Sequence, residues 1–191
     1  GSATTSGLPV FADAMPAADA PVVARMKAAG AIPLARTNLP EMGFRITTDN
    51  PLRGRTLNPW DIARTAGGSS GGEAVSLATG MSPIGLGNEV GGSLRNPAYC
   101  GGITSLKPTT GRVPMVTSIP LAAQPNAFRL MCVEGAMARS VADLKTAYRV
   151  LSGWHPQDPY SVPAALEGPA VDKKVALVTE MPDSTLPAAT I

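Results

Sequence analysis

Two serines stand on glycine-rich turns in the stretch TAGGSSGGEAVSLATGMSPIGLGNEVGGSLRNPAYCGG, residues 65–102. Ser69 lies in GGSSGG and Ser93 in GGSLR. A serine hydroxyl is a weak nucleophile until something removes its proton, and the usual base is a histidine held by a carboxylate. The single histidine, His155 in WHPQDP, is flanked by proline and distant in sequence from both turns, which is the setting of a solvated loop. No G-x-S-x-G elbow surrounds Ser93. No GK[ST] follows AGGSSGGE, so the stretch is not a phosphate-cradling loop. The glycines point to another chemistry. Two glycines directly before Ser93 let the backbone turn sharply and present consecutive N–H groups inward, which is what an oxyanion hole needs beside a nucleophile. In GGSSGG the same freedom aims a hydroxyl at a neighbour, so one serine can relay a proton between the other serine and a lysine. Either turn alone could be a plain connection; two with these flanks favour chemistry.

Composition narrows the partners. The chain has 191 residues, 44% apolar and 16% charged, with 16 basic and 14 acidic side chains for a net charge of +2. That suits a globular domain, and the absence of a basic block argues against nucleic acid as a partner. No run of eighteen apolar residues is present to span a membrane. The opening GSATTSGLPV lacks the build of a signal peptide. Cys100 and Cys132 are too few for a disulfide framework and sit in no C-x-x-C pattern. They read as buried thiols of a reduced, cytoplasmic protein, and neither metal nor cofactor is expected.

The elements that must carry the serines alternate. Residues 17–29 place Val22, Val23, Met26 and Ala29 on one helical stripe, with Gly30 as the stop. IPLAR (32–36) predicts a short strand and TNLPEMG a loop. A helix is expected from near Gly71 through EAVSLAT to Gly80, then strands at PIGLG (83–87) and ITSL (103–106). SVADLKTAYRVLS (140–152) is a well-signalled helix, with Ser140 as N-cap, Asp143 in the first turn and Gly153 at the end. After a Pro-rich linker at 154–172, KVALVT (174–179) reads as a buried strand. The class is α/β, and the linker is the single candidate boundary. The chain stops at Thr190-Ile191 soon after a strand, where another helix is expected, so its end has the look of a cut.

The central block resembles the signature of the amidase signature family, the Ser–Ser–Lys amide hydrolases. The resemblance extends through DAPVVARMKAAGAIPLARTNLPEM, LKPTTGRVP and GAMARSVADL, nearly the whole chain. It implies a mixed β-sheet surrounded by helices, present here as a partial domain over residues 1–191. The implied activity is hydrolysis or transfer of a carboxylic amide, with a small-molecule amide as partner and a homo-oligomer as an open option. Carried over by position, Ser93 matches the nucleophile and Ser69 the bridging serine, with a cis peptide bond at Gly68–Ser69. The N–H groups of Val90, Gly91, Gly92 and Ser93 match the oxyanion hole. Ser70 matches a supporting serine. Arg95 matches a supporting arginine, for which a structural ion pair is an equal reading. The hydroxyls of Ser69 and Ser93 are expected at hydrogen-bond distance, or only slightly longer with no substrate bound.

There are departures. Glu89 stands where the family usually has aspartate, Asn88 replaces a threonine, Ala136 replaces a proline, and residues 115–133 match loosely. The base the family implies is a lysine upstream of the segment aligning with residue 1. Lys27 reads as a solvated helix lysine, Lys107 as a structural one, and Lys145, Lys173 and Lys174 lie on a late helix and strand approach. The 191-residue chain alone is therefore expected to be inactive. Two alternatives stay open, the glutamine-hydrolysing subunit of a tRNA-dependent amidotransferase and a non-catalytic binding module. For Met42 and Phe44, core packing is expected over an acyl pocket.

Overall fold

The computed structural model describes residues 2–116 and 125–168. The strand expected at 174–179, with Lys173 and Lys174, lies outside them. Two α-helices begin the scaffold where the apolar spacing places them. Helix α1 runs Pro21–Ala28, opened by a proline at its first position, where a missing N–H costs nothing. Helix α2 runs Gly71–Ala78 and ends before Gly80, whose φ of +77° stops it. Between them, β1 (Asp49–Asn50) and β2 (Gly54–Arg55) form a small antiparallel hairpin. Strand β3 spans Ile84–Glu89, α3 Arg95–Gly101, β4 Thr104–Ser105, α4 Asn126–Met131, β5 Val133–Ala138 and α5 Val141–Leu151.

The sheet has the order β3-β5-β4, and both pairings are antiparallel. Strand β5 is central and alternates its side chains between two cores, as the twofold period of a strand requires. Ala136 and Ala138 join Val22 of α1 and Leu144, Ala147 and Leu151 of α5. Met137 points the other way, into Ala74 and Leu77 of α2, Leu94 just before α3 and Ala98 within it. The serine turns therefore lie among elements covered by packed helices on both faces. Helix α5 has the cap its sequence announces, with the Ser140 hydroxyl accepting from the Asp143 N–H at 3.1 Å. Its other end is closed from α1, where Arg25 donates to the carbonyls of Leu151, Gly153 and Trp154.

The α/β class and the elements near 21–28, 71–78, 84–89, 104–105 and 141–151 agree with the sequence reading. The strand expected at 32–36 is absent. Those residues lie outside any helix or strand, with Ile32 and Leu34 exposed, because no described segment runs beside them to complete a ladder. Residues 154–162 fold back on the body: Asp158 and Ser161 are buried, and Val162 N–H donates to the Gly111 carbonyl at 2.9 Å. His155 is half-buried there, its Nδ1 accepting from the Gln157 N–H at 3.3 Å.

Candidate active site

The GGSSGG turn closes the gap between a loop and the start of α2. Its first half is tied down by Thr65 Oγ1, which accepts from Gly67 N–H at 3.0 Å, and by Asn96 Oδ1, which accepts from Gly68 N–H at 3.0 Å. The Gly68–Ser69 peptide bond is cis, as the resemblance implies. Ser69 is buried, and Ser70 is buried at the N-cap position of α2. Glycines on β3 let this turn approach the sheet. A Cβ on Gly87 would stand 2.6 Å from Ser70 Oγ, so a larger residue there would displace the hydroxyl.

The second turn leaves the end of β3. Gly92 has φ +115°, a conformation that glycine alone adopts readily, and Ser93 follows, half-buried. Among the described residues, the N–H groups of Val90, Gly91, Gly92 and Ser93 donate to no protein acceptor. The two turns are joined by main chain: Ser70 N–H donates to the Ser93 carbonyl at 3.2 Å. Among the described residues, no hydrogen bond links the hydroxyls of Ser69 and Ser93.

Glu89 is fully buried and holds the second turn from inside. One carboxylate oxygen accepts from Arg95 Nε at 2.7 Å and from its Nη2. The other accepts from the N–H groups of Leu94 and Arg95, at 2.9 and 3.1 Å, where α3 begins. Burial alone would raise the carboxyl, but the guanidinium and the two N–H donors outweigh it and hold it below its ordinary value. The extra methylene relative to aspartate supplies reach enough for all four bonds. Arg95 is itself largely exposed, so its placement fits the ion-pair reading.

A third segment borders Ser69. A Cβ on Gly43 would lie 3.4 Å from Ser69 Oγ, so the loop around the Glu41–Gly43 turn lines that hydroxyl. Met42 and Phe44 are 49% and 73% exposed, which overturns the expectation that they pack in the core. A loop whose backbone sits against a buried hydroxyl has no room beneath it for both side chains, and they turn outward. Of the described lysines, Lys27 pairs with Asp19 at 2.7 Å on the surface, Lys107 lies beside the Pro108 carbonyl, and Lys145 is exposed on α5. None is bonded to either serine.

Sequence reasoning missed three residues of this site. Asn96 holds Gly68, and Thr48, buried, sits against the Ser69 turn. Glu73 of α2 packs over Gly85 of β3 and accepts from Thr37 Oγ1 at 2.7 Å. Burial pushes the Glu73 carboxyl up, against that hydrogen bond. The available signal was the E in GGSSGGE, an acid directly inside a glycine-serine turn.

The profile of the amidase family, described as Amidase, matches residues 1–190. The chain belongs to the amidase family. It is 49% identical over 164 residues to an indoleacetamide hydrolase of Bradyrhizobium diazoefficiens, an alignment covering 86% of this chain and 31% of that protein. It is 38% identical over 181 residues to a glutamyl-tRNA(Gln) amidotransferase subunit of Roseiflexus castenholzii, covering 95% of this chain and 35% of that one. The solved structure of 6-aminohexanoate cyclic dimer hydrolase complexed with substrate superimposes with a TM-score of 0.78 at 38% identity, over 87% of this chain and 34% of the other. The chain thus spans about a third of the length of these amidase-family relatives, and its fold is that of the amidase signature enzymes. Among the described residues, no helix is long and apolar enough to cross a membrane.

Proposed function

We propose that the protein to which this chain belongs hydrolyses a carboxylic amide, with Ser93 as nucleophile and Ser69 as proton relay. The observation that carries the reading is the junction of the two turns. The Ser69–Ser70 segment is bonded to Ser93 through main chain, beside a run of N–H groups with no acceptor among the described residues. A neutral lysine takes the proton of Ser69, Ser69 takes that of Ser93, and Ser93 Oγ bonds to the amide carbon. The N–H groups of residues 90–93 hold the resulting oxyanion. The proton returns through Ser69 to the nitrogen, the C–N bond breaks with a neutral amine leaving, and water then cleaves the acyl ester. The relay requires the two hydroxyls to close on each other when substrate binds, a tightening common in such sites.

Lys27, Lys107 and Lys145 are engaged or exposed elsewhere. We place the base lysine outside these 191 residues, so that the chain alone turns over no amide. Met42 and Phe44, exposed beside Ser69, form one wall of the substrate site. The identity to indoleacetamide hydrolase exceeds that to the amidotransferase protein, 49% against 38%, which favours a free small amide over a tRNA-linked reaction. The two free thiols suit a cytoplasmic setting. The test is hydrolysis of simple aryl and indole acetamides by the full gene product, its Ser93→Ala and Ser69→Ala variants, and the 191-residue chain. Turnover is expected to vanish in Ser93→Ala and in the short chain, and to fall by several orders of magnitude in Ser69→Ala. Substantial activity surviving in Ser93→Ala overturns the assignment.

A further inference from the structure

We infer that Thr48 is a positioning residue for the Ser69 turn. Its hydroxyl fixes the main chain on both sides of Ser69 and so sets where that serine points. The inference rests on the reading that Ser69 and Ser93 carry the chemistry. Thr48 is 2% exposed. Its Oγ1 lies 2.9 Å from the Gly67 carbonyl, 3.3 Å from the Ser69 carbonyl and 3.1 Å from the Gly71 N–H. A hydroxyl has one proton and two lone pairs. It donates to Gly67, the nearer carbonyl, with Ser69 sharing the proton at longer range, and accepts from Gly71. The three partners bracket Ser69 from two residues before it to two residues after.

The bond to Gly71 does the work of a helix cap from a distance. The first N–H groups of α2 have no partner within the helix, and Ser70, at the N-cap position, makes no side-chain capping bond. Thr48 supplies the acceptor, and the Ser70 hydroxyl is left for other contacts. Thr48 is in turn held by a stiff neighbourhood. Its carbonyl accepts from Thr56 N–H at 2.9 Å. Asn50 is buried, donating to Asn38 Oδ1 at 2.6 Å and to the Leu39 carbonyl at 2.7 Å. The main chain just before Thr48 presses on the turn as well: a Cβ on Gly68 would stand 2.6 Å from the Arg45 carbonyl. A valine at 48 would fill the same space with nothing to offer Gly67, Ser69 or Gly71.

The experiment compares Thr48→Val, Thr48→Ser and Ser93→Ala in the full gene product. It measures kcat and KM on an aryl amide, and amide hydrogen exchange of a peptide covering residues 66–72. Thr48→Val is expected to lower kcat about tenfold to a hundredfold with KM changed less than about twofold, since misplacement of a reacting group costs that much. Thr48→Ser should recover most of the rate. Exchange at 66–72 should quicken in Thr48→Val and not in Thr48→Ser. Wild-type kcat and exchange in Thr48→Val overturn the inference, as does an equal loss in Thr48→Ser. Full activity in Ser93→Ala instead overturns the catalytic reading, and the exchange result then decides the role of Thr48 alone. Where Thr48→Val fails to accumulate folded, Thr48→Cys is held to the same outcomes.

Discussion

The Ser70 N–H and the Ser93 carbonyl meet at 3.2 Å, so the two serine turns are coupled through backbone and not through their hydroxyls. Side-chain substitutions at Ser69 or Ser93 leave that bond in place. Ser69→Ala and Ser93→Ala are therefore expected to unfold within about 1 kcal/mol of the wild type, while turnover collapses. Urea denaturation beside the rate measurements checks it. A large loss of stability in either variant would mean its hydroxyl is structural.

Glu89 is expected to be a stability residue whose value depends on acid. Its folded-state carboxyl lies below the ordinary value, with burial opposed by Arg95 and two N–H donors. The stabilisation is therefore complete above about pH 4.5 and is lost as pH falls through the lowered folded value. Glu89→Ala orphans those N–H groups, and should cost about 2–4 kcal/mol at pH 7. Denaturation at pH 7 and pH 3 reads this, with the gap to wild type narrowing at the lower pH.

Glu134 gives the opposite slope. It sits on β5 opposite Asn88 of β3, and burial pushes its carboxyl up to about 7. The folded protein then holds the proton more tightly than the unfolded chain, so stability falls as pH rises from about 4.5 to about 7 and levels off above. Cys132, two residues before it, has its thiol pushed up to about 12 by burial and by Glu134, and stays neutral throughout. Glu134→Gln should flatten this part of the profile and stabilise the protein by about 1–3 kcal/mol at pH 8. Melting curves from pH 4 to 9 check both.

Gly72 is expected to tolerate no side chain. A Cβ there would press into the Asn38 main chain, whose carbonyl accepts from Gly72 N–H at 3.2 Å. Gly72→Ala should cost about 1–3 kcal/mol and lower kcat by moving the loop that carries Gly43 against Ser69. Normal stability with normal turnover would show that the loop yields freely.

Legibility in the sequence followed the range of the forces involved. Helix α5 was readable because Ser140, Asp143 and Gly153 act on their neighbours. Helix α2 and the Ser93 turn were readable from glycines placed around them. Strand β5, VEGAMA, was not, because glycine and alanines carry little strand preference and only burial between two helical layers makes them a strand. IPLAR had the opposite fate, a strand-like run with no neighbour among the described residues. In the site, Ser69, Ser70, Ser93 and Glu89 announced themselves by motif. Thr48 and Asn96 reach the turn across 19 and 28 residues of chain, a distance no local pattern encodes.

Among the described strands, β5 comes last in sequence yet lies in the middle, between β3 and β4, which are not paired with each other. A ribosome that has delivered the Ser93 turn has delivered a strand end with no described partner. That partner emerges only when Val133–Ala138 clears the exit tunnel, and residues of α5 must follow to cover it. Until then β3, with its glycines at 85 and 87, is an open edge available to any other extended chain. The residues that would do the chemistry are thus made well before the strand that fixes them. A pause in synthesis between the codons for Ser93 and Val133 is where misassembly of this protein should begin.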